Sequence, residues 1–98
     1  MATSKRTLRV ELTPELKKAL RALPPPQRKR IGDVITAVRE GFGAPHLHSG
    51  LGIRRLRDSL FECRVGLKLR LTFFVEPGVL SFSDVGTHDE IRNLIKNR

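Results

Sequence analysis

Hydrophobic and polar positions alternate over residues 7–12, with Leu8, Val10 and Leu12 set against Thr7, Arg9 and Glu11. That period of two predicts a short strand with one buried face. The period then changes. Thr13-Pro14-Glu15 has the features of a helix start: a capping hydroxyl, a proline where no amide donor is needed, and an acid at the positive end of the dipole. Leu16, Ala19, Leu20 and Leu23 make the apolar stripe, with Lys17, Lys18 and Arg21 turned away, and Pro24-Pro25-Pro26 ends the helix. A second helix is predicted over 27–41, where Ile31, Val34, Ile35, Val38 and Phe42 recur at helical spacing and Gly41 and Gly43 supply the stop. Its first turn carries Arg28, Lys29 and Arg30, which read as a solvated end, although a positive cluster there also suits a phosphate contact.

Strand signals dominate the second half, over 53–57, 60–65, 68–76 and 79–85, with hairpin connections at Val65-Gly66-Leu67 and Glu76-Pro77-Gly78. In the third of these runs Leu69, Leu71, Phe73 and Val75 share one face, and Lys68, Arg70, Thr72 and Phe74 the other. In the second, Phe61, Cys63 and Val65 oppose Leu60, Glu62 and Arg64. If both apolar sets face the helices, Glu62, Arg64, Lys68, Arg70 and Thr72 meet on the opposite face. A last helix is expected from Asp89-Glu90, with Ile91, Leu94 and Ile95 as its apolar side. The expected fold is therefore α+β: a small twisted antiparallel sheet against an N-terminal two-helix hairpin, with a short C-terminal helix, all in one domain over 1–98.

Composition sharpens this picture. Lys and Arg number 19 against 10 acids, a net charge of +9 on 98 residues, which implies a standing attraction to polyanions. The charge clusters: Arg64, Lys68 and Arg70 face a single acid, Glu62, where cross-strand stability favours balanced pairs, and Arg54, Arg55 and Arg57 thicken the patch. A guanidinium suits phosphate oxygens and the charge that grows on phosphorus during transfer. With no Trp or Tyr in the chain, base stacking falls to Phe74, another phenylalanine or an arginine plane. The single cysteine, Cys63, excludes an internal disulfide and reads as a small buried hydrophobe. No signal peptide or membrane-spanning run of 18 or more apolar residues stands out, which makes a cytoplasmic protein the expectation.

Two places hold histidine. His46-Leu47-His48 lies in a loop without a nearby carboxylate or cysteine, a poor metal site; no metal and no cofactor is expected. His88 follows Asp84-Val85-Gly86-Thr87 at the seam between the last strand and the last helix. A lone histidine is more often a packing or helix-start residue than a catalyst. Its position beside the arginine-bearing sheet raises its standing, because imidazole, titrating near about 6.5 when unperturbed, suits proton transfer.

Leu60-Phe61-Glu62-Cys63-Arg64-Val65-Gly66, Leu69-Arg70-Leu71-Thr72-Phe73 and Asp84-Val85-Gly86-Thr87-His88-Asp89-Glu90, in that order and spacing, resemble the RelE/ParE superfamily of bacterial toxins. With the preceding two-helix hairpin, the resemblance covers nearly the whole chain. It implies a type II toxin–antitoxin toxin: a ribosome-dependent messenger-RNA endonuclease, without metal or cofactor, that drives the RNA 2′-hydroxyl onto the adjacent phosphate and is held inactive by a cognate acidic antitoxin. Carried over by position, Arg70 steadies the scissile phosphate and His88 takes the acid/base place, with Glu62 and Arg64 on the strand that supplies further catalytic groups. Arg54, Arg55, Arg57, Lys68, Phe74 and Arg92 are then candidate RNA contacts. The tail aromatic of the family is absent, its region being taken by Ile91 or Arg92. The hairpin from Gly66 to Lys68 is a residue longer than in some members. Two alternatives remain open at this level: a ParE-like inhibitor of DNA gyrase, and a non-catalytic RNA- or ribosome-binding module.

Overall fold

The computed structural model describes residues 8–44, 48 and 50–97. Strand β1 (Arg9–Leu12) is followed by helices α1 (Pro14–Arg21) and α2 (Pro25–Gly41), then by β2 (Arg54–Arg57), β3 (Leu60–Val65), β4 (Leu69–Glu76) and β5 (Val79–Thr87), and by helix α3 (His88–Lys96). The strands make one sheet in the order β1-β5-β4-β3-β2. β2 to β5 form the expected antiparallel meander. β1, however, lies parallel to β5, with Arg9 opposite Val79 and Leu12 opposite Phe82, so the sheet is mixed rather than antiparallel. The helical hairpin and three strands separate the two partners in sequence. No tight turn dictates their direction, and a crossover of that length permits the parallel sense.

Local chemistry sets the elements. Thr13 Oγ1 accepts the Leu16 amide at 3.1 Å and caps α1, as its Thr-Pro-Glu signature predicts. The same hydroxyl donates to the Ser83 carbonyl at 3.2 Å, and the Thr13 amide donates to the Phe82 carbonyl at 3.0 Å, so the cap also ties the helical layer to β5. Helix α2 starts at Pro25, two residues ahead of the expected start. The first helix has already closed at its C-cap, Ala22; Pro24 is the N-cap of the second, and Pro25 and Pro26 fill its first turn, where a missing N–H leaves nothing unsatisfied.

The core lies between the helical hairpin and one sheet face. Leu16, Ile31 and Val38 from the helices meet Cys63, Val65, Leu71, Phe73, Leu80 and Phe82 from the strands. Phe42, Phe61, Phe73 and Phe82 form a chain of ring contacts with centroids 5.1–5.9 Å apart. The β3/β4 register pairs Phe61 with Phe73 and Cys63 with Leu71, so the expected apolar face is the core face.

The opposite face is not the open polar surface that alternation suggests. Helix α3 contacts β4 and β5 there, and Leu60 and Ile91 are buried apart from the main core. Glu62, Thr72 and Ser83 are buried as well, and the two hydroxyls share a 2.8 Å hydrogen bond. Two bulges shape this side. Ser83 is the extra residue of β5 opposite the Thr72–Phe73 step, and Leu56 is the extra residue of β2 opposite β3.

Candidate active site

On the α3 side of the sheet the strand registers build two adjacent rows. One runs Arg54, Glu62, Thr72, Asp84 across β2, β3, β4 and β5; the other pairs Arg64 with Arg70 and Arg70 with Gly86. An open depression of ≈ 390 Å³ lies over them, lined by Gly52, Ile53, Arg54, Glu62, Arg64, Arg70 and His88. The four residues expected to carry catalysis, His88, Arg70, Arg64 and Glu62, thus share one concavity, together with Arg54 from the expected RNA-contact set.

Its electrostatics favour an anion. Glu62 is 4% exposed and its Oε2 is held by Arg54 Nη2 at 2.9 Å. Burying that carboxylate without a partner would be costly, and the ion pair explains why it is tolerated. Arg64 and Arg70 lie directly opposite each other and make no ion pair among the described residues. Like charges at a directly opposed position are destabilising, so their pairing serves something other than the fold. A phosphate with two free oxygens would relieve the repulsion and accept from both guanidinium groups.

Two glycines make the geometry possible, and neither was singled out as a site residue from the sequence. Gly52 has φ +68°, and a Cβ there would come 2.7 Å from Arg64 Nε; the glycine lets the guanidinium lie across the backbone and into the depression. Gly86 is buried beside Arg70, and a Cβ there would come 2.9 Å from Glu90 Oε1. Glu90 Oε1 accepts the Thr87 amide at 2.8 Å, and Thr87 Oγ1 accepts the Glu90 amide at 3.2 Å. This capping box starts α3 at His88 and sets the imidazole, exposed, at the rim next to Arg70.

The other expected contacts are dispersed. Arg55 pairs with Phe61 in the register and spends its Nε on the Asp58 carbonyl at 2.8 Å. Arg57 and Phe74 line a separate hollow of ≈ 230 Å³ with Asp58, Ser59 and Leu60. Arg92 lines a groove of ≈ 600 Å³ with Leu56, Asp89, Asn93, Ile95 and Lys96. Lys68 departs from the expectation that it shares the Arg70 face. The turn at Gly66, φ +67°, breaks the alternation before β4 begins at Leu69, and Lys68 instead lines a hollow with Gln27 and Arg30 of α2. His48 is a structural group: its Nε2 accepts the Gly43 amide at 3.1 Å and its ring stacks on Phe42. His46 lies outside the described residues.

Cys63 stands behind Glu62 on the core face. Burial, with the Glu62 charge adding, pushes its thiol up to about 12, which makes it a packing group and not a nucleophile. Among the described residues no three His, Cys, Asp or Glu side chains gather as a metal site, and no helix is long and apolar enough to cross a membrane.

No family model matches the chain, and no curated protein is significantly similar to it in sequence. Its fold, by contrast, is that of the RelE-type toxins. The structure of an archaeal RelE–RelB complex from Pyrococcus horikoshii OT3 superposes with a TM-score of 0.68 at 20% identity, covering 83% of this chain and 94% of that one. The RelB–RelE complex of Methanococcus jannaschii gives 0.65 at 21% identity over 85% and 95% of the two chains. YafQ from E. coli gives 0.61 at 14% identity over 86% and 97%. The RelE/ParE-like fold expected from the strand motifs is therefore borne out, including the C-terminal helix.

Proposed function

We propose that this chain is the toxin of a type II toxin–antitoxin pair and that it cleaves messenger RNA in the ribosomal A site without metal or cofactor. The observation that carries this reading is the convergence of His88, Arg64, Arg70 and Glu62 on one depression, from two strands and a helix start, on a fold shared with RelE and YafQ. Arg64 and Arg70 take the scissile phosphate between them and stabilise the charge that builds on its oxygens as the phosphorane forms. The RNA 2′-oxygen forms the new bond to phosphorus and its proton passes to Glu62, whose Oε1 remains while Arg54 engages Oε2. The bond to the 5′-oxygen breaks and His88 gives that oxygen a proton, leaving a cyclic phosphate and a 5′-hydroxyl. Arg54 is a positioning residue in this scheme.

An acidic antitoxin is the natural partner of a +9 domain, and the structural relatives crystallised with RelB or YefM support that assignment. The reading places the protein in the cytoplasm, where its substrate is. The test is incubation with ribosomes programmed with a defined message. Discrete cuts in the A-site codon are expected; gyrase-linked DNA breaks, or ribosome binding without cleavage, would overturn the proposal.

A further inference from the structure

The depression reaches Arg64 and Arg70, short of the β3/β4 turn, and cationic side chains continue past it. Arg64 is the last residue but one of β3 and Arg70 the second of β4, so both sit within two residues of the turn Gly66-Leu67-Lys68. At about 3.3 Å per residue, the turn begins roughly 7 Å from the proposed phosphate position. Beyond it, on the helical side, is a second hollow of ≈ 270 Å³ lined by Gln27, Arg30, Val65, Leu67, Lys68 and Leu69.

Three observations suggest that this hollow takes a ligand. Arg30 lies across Gly66, its Nη1 only 2.9 Å from where a Cβ would stand, and Gly66 at φ +67° is a position other residues resist. The other cations of that helix turn are occupied: Arg28 donates to the Leu23 carbonyl at 2.9 Å and Lys29 pairs with Asp33 at 3.0 Å. Arg30 and Lys68, in contrast, have no hydrogen bond or ion pair among the described residues. Leu67, meanwhile, is 94% exposed at the tip between them, a large apolar side chain held in water.

We propose that Arg30 and Lys68 form a second phosphate-binding subsite that holds the RNA strand flanking the scissile phosphate, with Leu67 as an apolar rest for a sugar or base as the strand rounds the turn. This rests on the depression being the RNA site and adds a directed exit path to it. The strand would pass from Arg64 and Arg70 on one side of the sheet to Arg30 and Lys68 on the other. RNA is favoured over an acidic protein because Lys68, two residues from Arg70, and Arg30, lying across Gly66, continue the Arg64–Arg70 pair around one turn.

The test uses single-stranded RNA oligomers made uncleavable by 2′-deoxy substitution at the cleavage position, one of two nucleotides and one of ten, bound to the full chain across a salt series. Each single-strand phosphate contact adds about 0.7 to the slope of log affinity against log salt, so two contacts add about 1.4. Between 50 and 200 mM salt this is about a sevenfold steeper loss for the ten-mer than the dimer gives. In Arg30→Ala/Lys68→Ala the extra slope is expected to vanish, with circular dichroism confirming the fold. An unchanged ten-mer slope in the double variant would overturn the subsite. So would an unchanged slope together with the loss of a co-expressed acidic protein, which would assign the surface to that protein. Failure of the depression itself reads out separately: Arg70→Ala would then leave dimer binding unaltered, while the Arg30/Lys68 contribution would still be measured on the ten-mer.

Discussion

Replacing Gly86 by alanine tests whether the packing of α3 is what holds His88 at the site. The new Cβ would stand 2.9 Å from Glu90 Oε1 and 3.2 Å from Glu90 Cβ. The oxygen can swing away, but doing so releases the Thr87 amide it accepts at 2.8 Å, half of the capping box, at a cost of about 1 kcal/mol. Crowding against Glu90 Cβ adds about 1 kcal/mol more. Reduced freedom of the unfolded chain returns about 0.4–1 kcal/mol. The net loss is about 1–1.6 kcal/mol, a fall in Tm of roughly 4–13 °C for a domain of this size. Cleavage should suffer more than stability, because a shift of about 1 Å in a reacting group can cost about a hundredfold. Thermal unfolding and single-turnover cleavage on programmed ribosomes measure the two effects. Glu90→Ala alone should cost about 1 kcal/mol through the lost cap, but in Gly86→Ala/Glu90→Ala the two losses should overlap by about 1 kcal/mol, because the clashing oxygen and the lost acceptor are one atom. Strict additivity, or a Gly86→Ala protein with wild-type stability and rate, would refute the reasoning.

His88→Gln and Arg70→Ala are each expected to cut cleavage at least about a hundredfold with the fold intact by circular dichroism, from loss of proton transfer and of a transition-state donor; a His88→Gln protein cutting at the wild-type rate would leave Glu62 and the arginines to carry the chemistry. His48→Ala should lower the melting temperature by removing the acceptor for the Gly43 amide while leaving cleavage within a few-fold of wild type, measured on the same ribosomes. Cys63 should resist iodoacetamide in the native protein and react only after unfolding, as followed by mass spectrometry. Because its folded pKa, about 12, lies above the ordinary 9.0, its contribution is fully present below pH 9 and declines as pH rises toward 12, by up to about 1.4 kcal/mol per unit, which denaturant midpoints at pH 8, 10 and 11 would register.

Period and punctuation were enough to read most of the fold. Strand β3 falls at residues 60–65 as expected, and the Thr13-Pro14-Glu15 start and the apolar partition of β3 and β4 also hold. What alternation cannot express is a change of phase. In β5, Leu80, Phe82, Asp84 and Gly86 share one parity, and strict alternation would drive Asp84 into the apolar core; the change is visible in hindsight, since Val85 and not Asp84 continues the apolar series. Burial of Thr72 and Glu62 was equally hidden, because it depends on α3 folding back over the sheet, a contact between distant parts of the chain. The expected site list stays together in space where residues share strand parity, as Glu62, Arg64 and Arg70 do. It dispersed where a turn or bulge intervenes, as at Lys68 and Arg57.

The bulge at Ser83 links these points. By adding one residue to β5 it sends Phe82 to the core and Asp84 and Gly86 to the α3 side, opposite Thr72 and Arg70. Ser83 itself is secured from both directions: its hydroxyl meets Thr72 Oγ1 at 2.8 Å and its carbonyl accepts from Thr13 Oγ1 at 3.2 Å. Only with Gly86 on that side can the first turn of α3 pass close enough for the capping box to form, and only then does His88 reach the arginine pair. A hydroxyl at the start of α1, far away in sequence, therefore helps to fix the phase that aims the C-terminal histidine. Sheet register, more than any single side chain, is what brings an acid, two guanidinium groups without an ion pair among the described residues, and an imidazole to one depression on a chain of 98 residues.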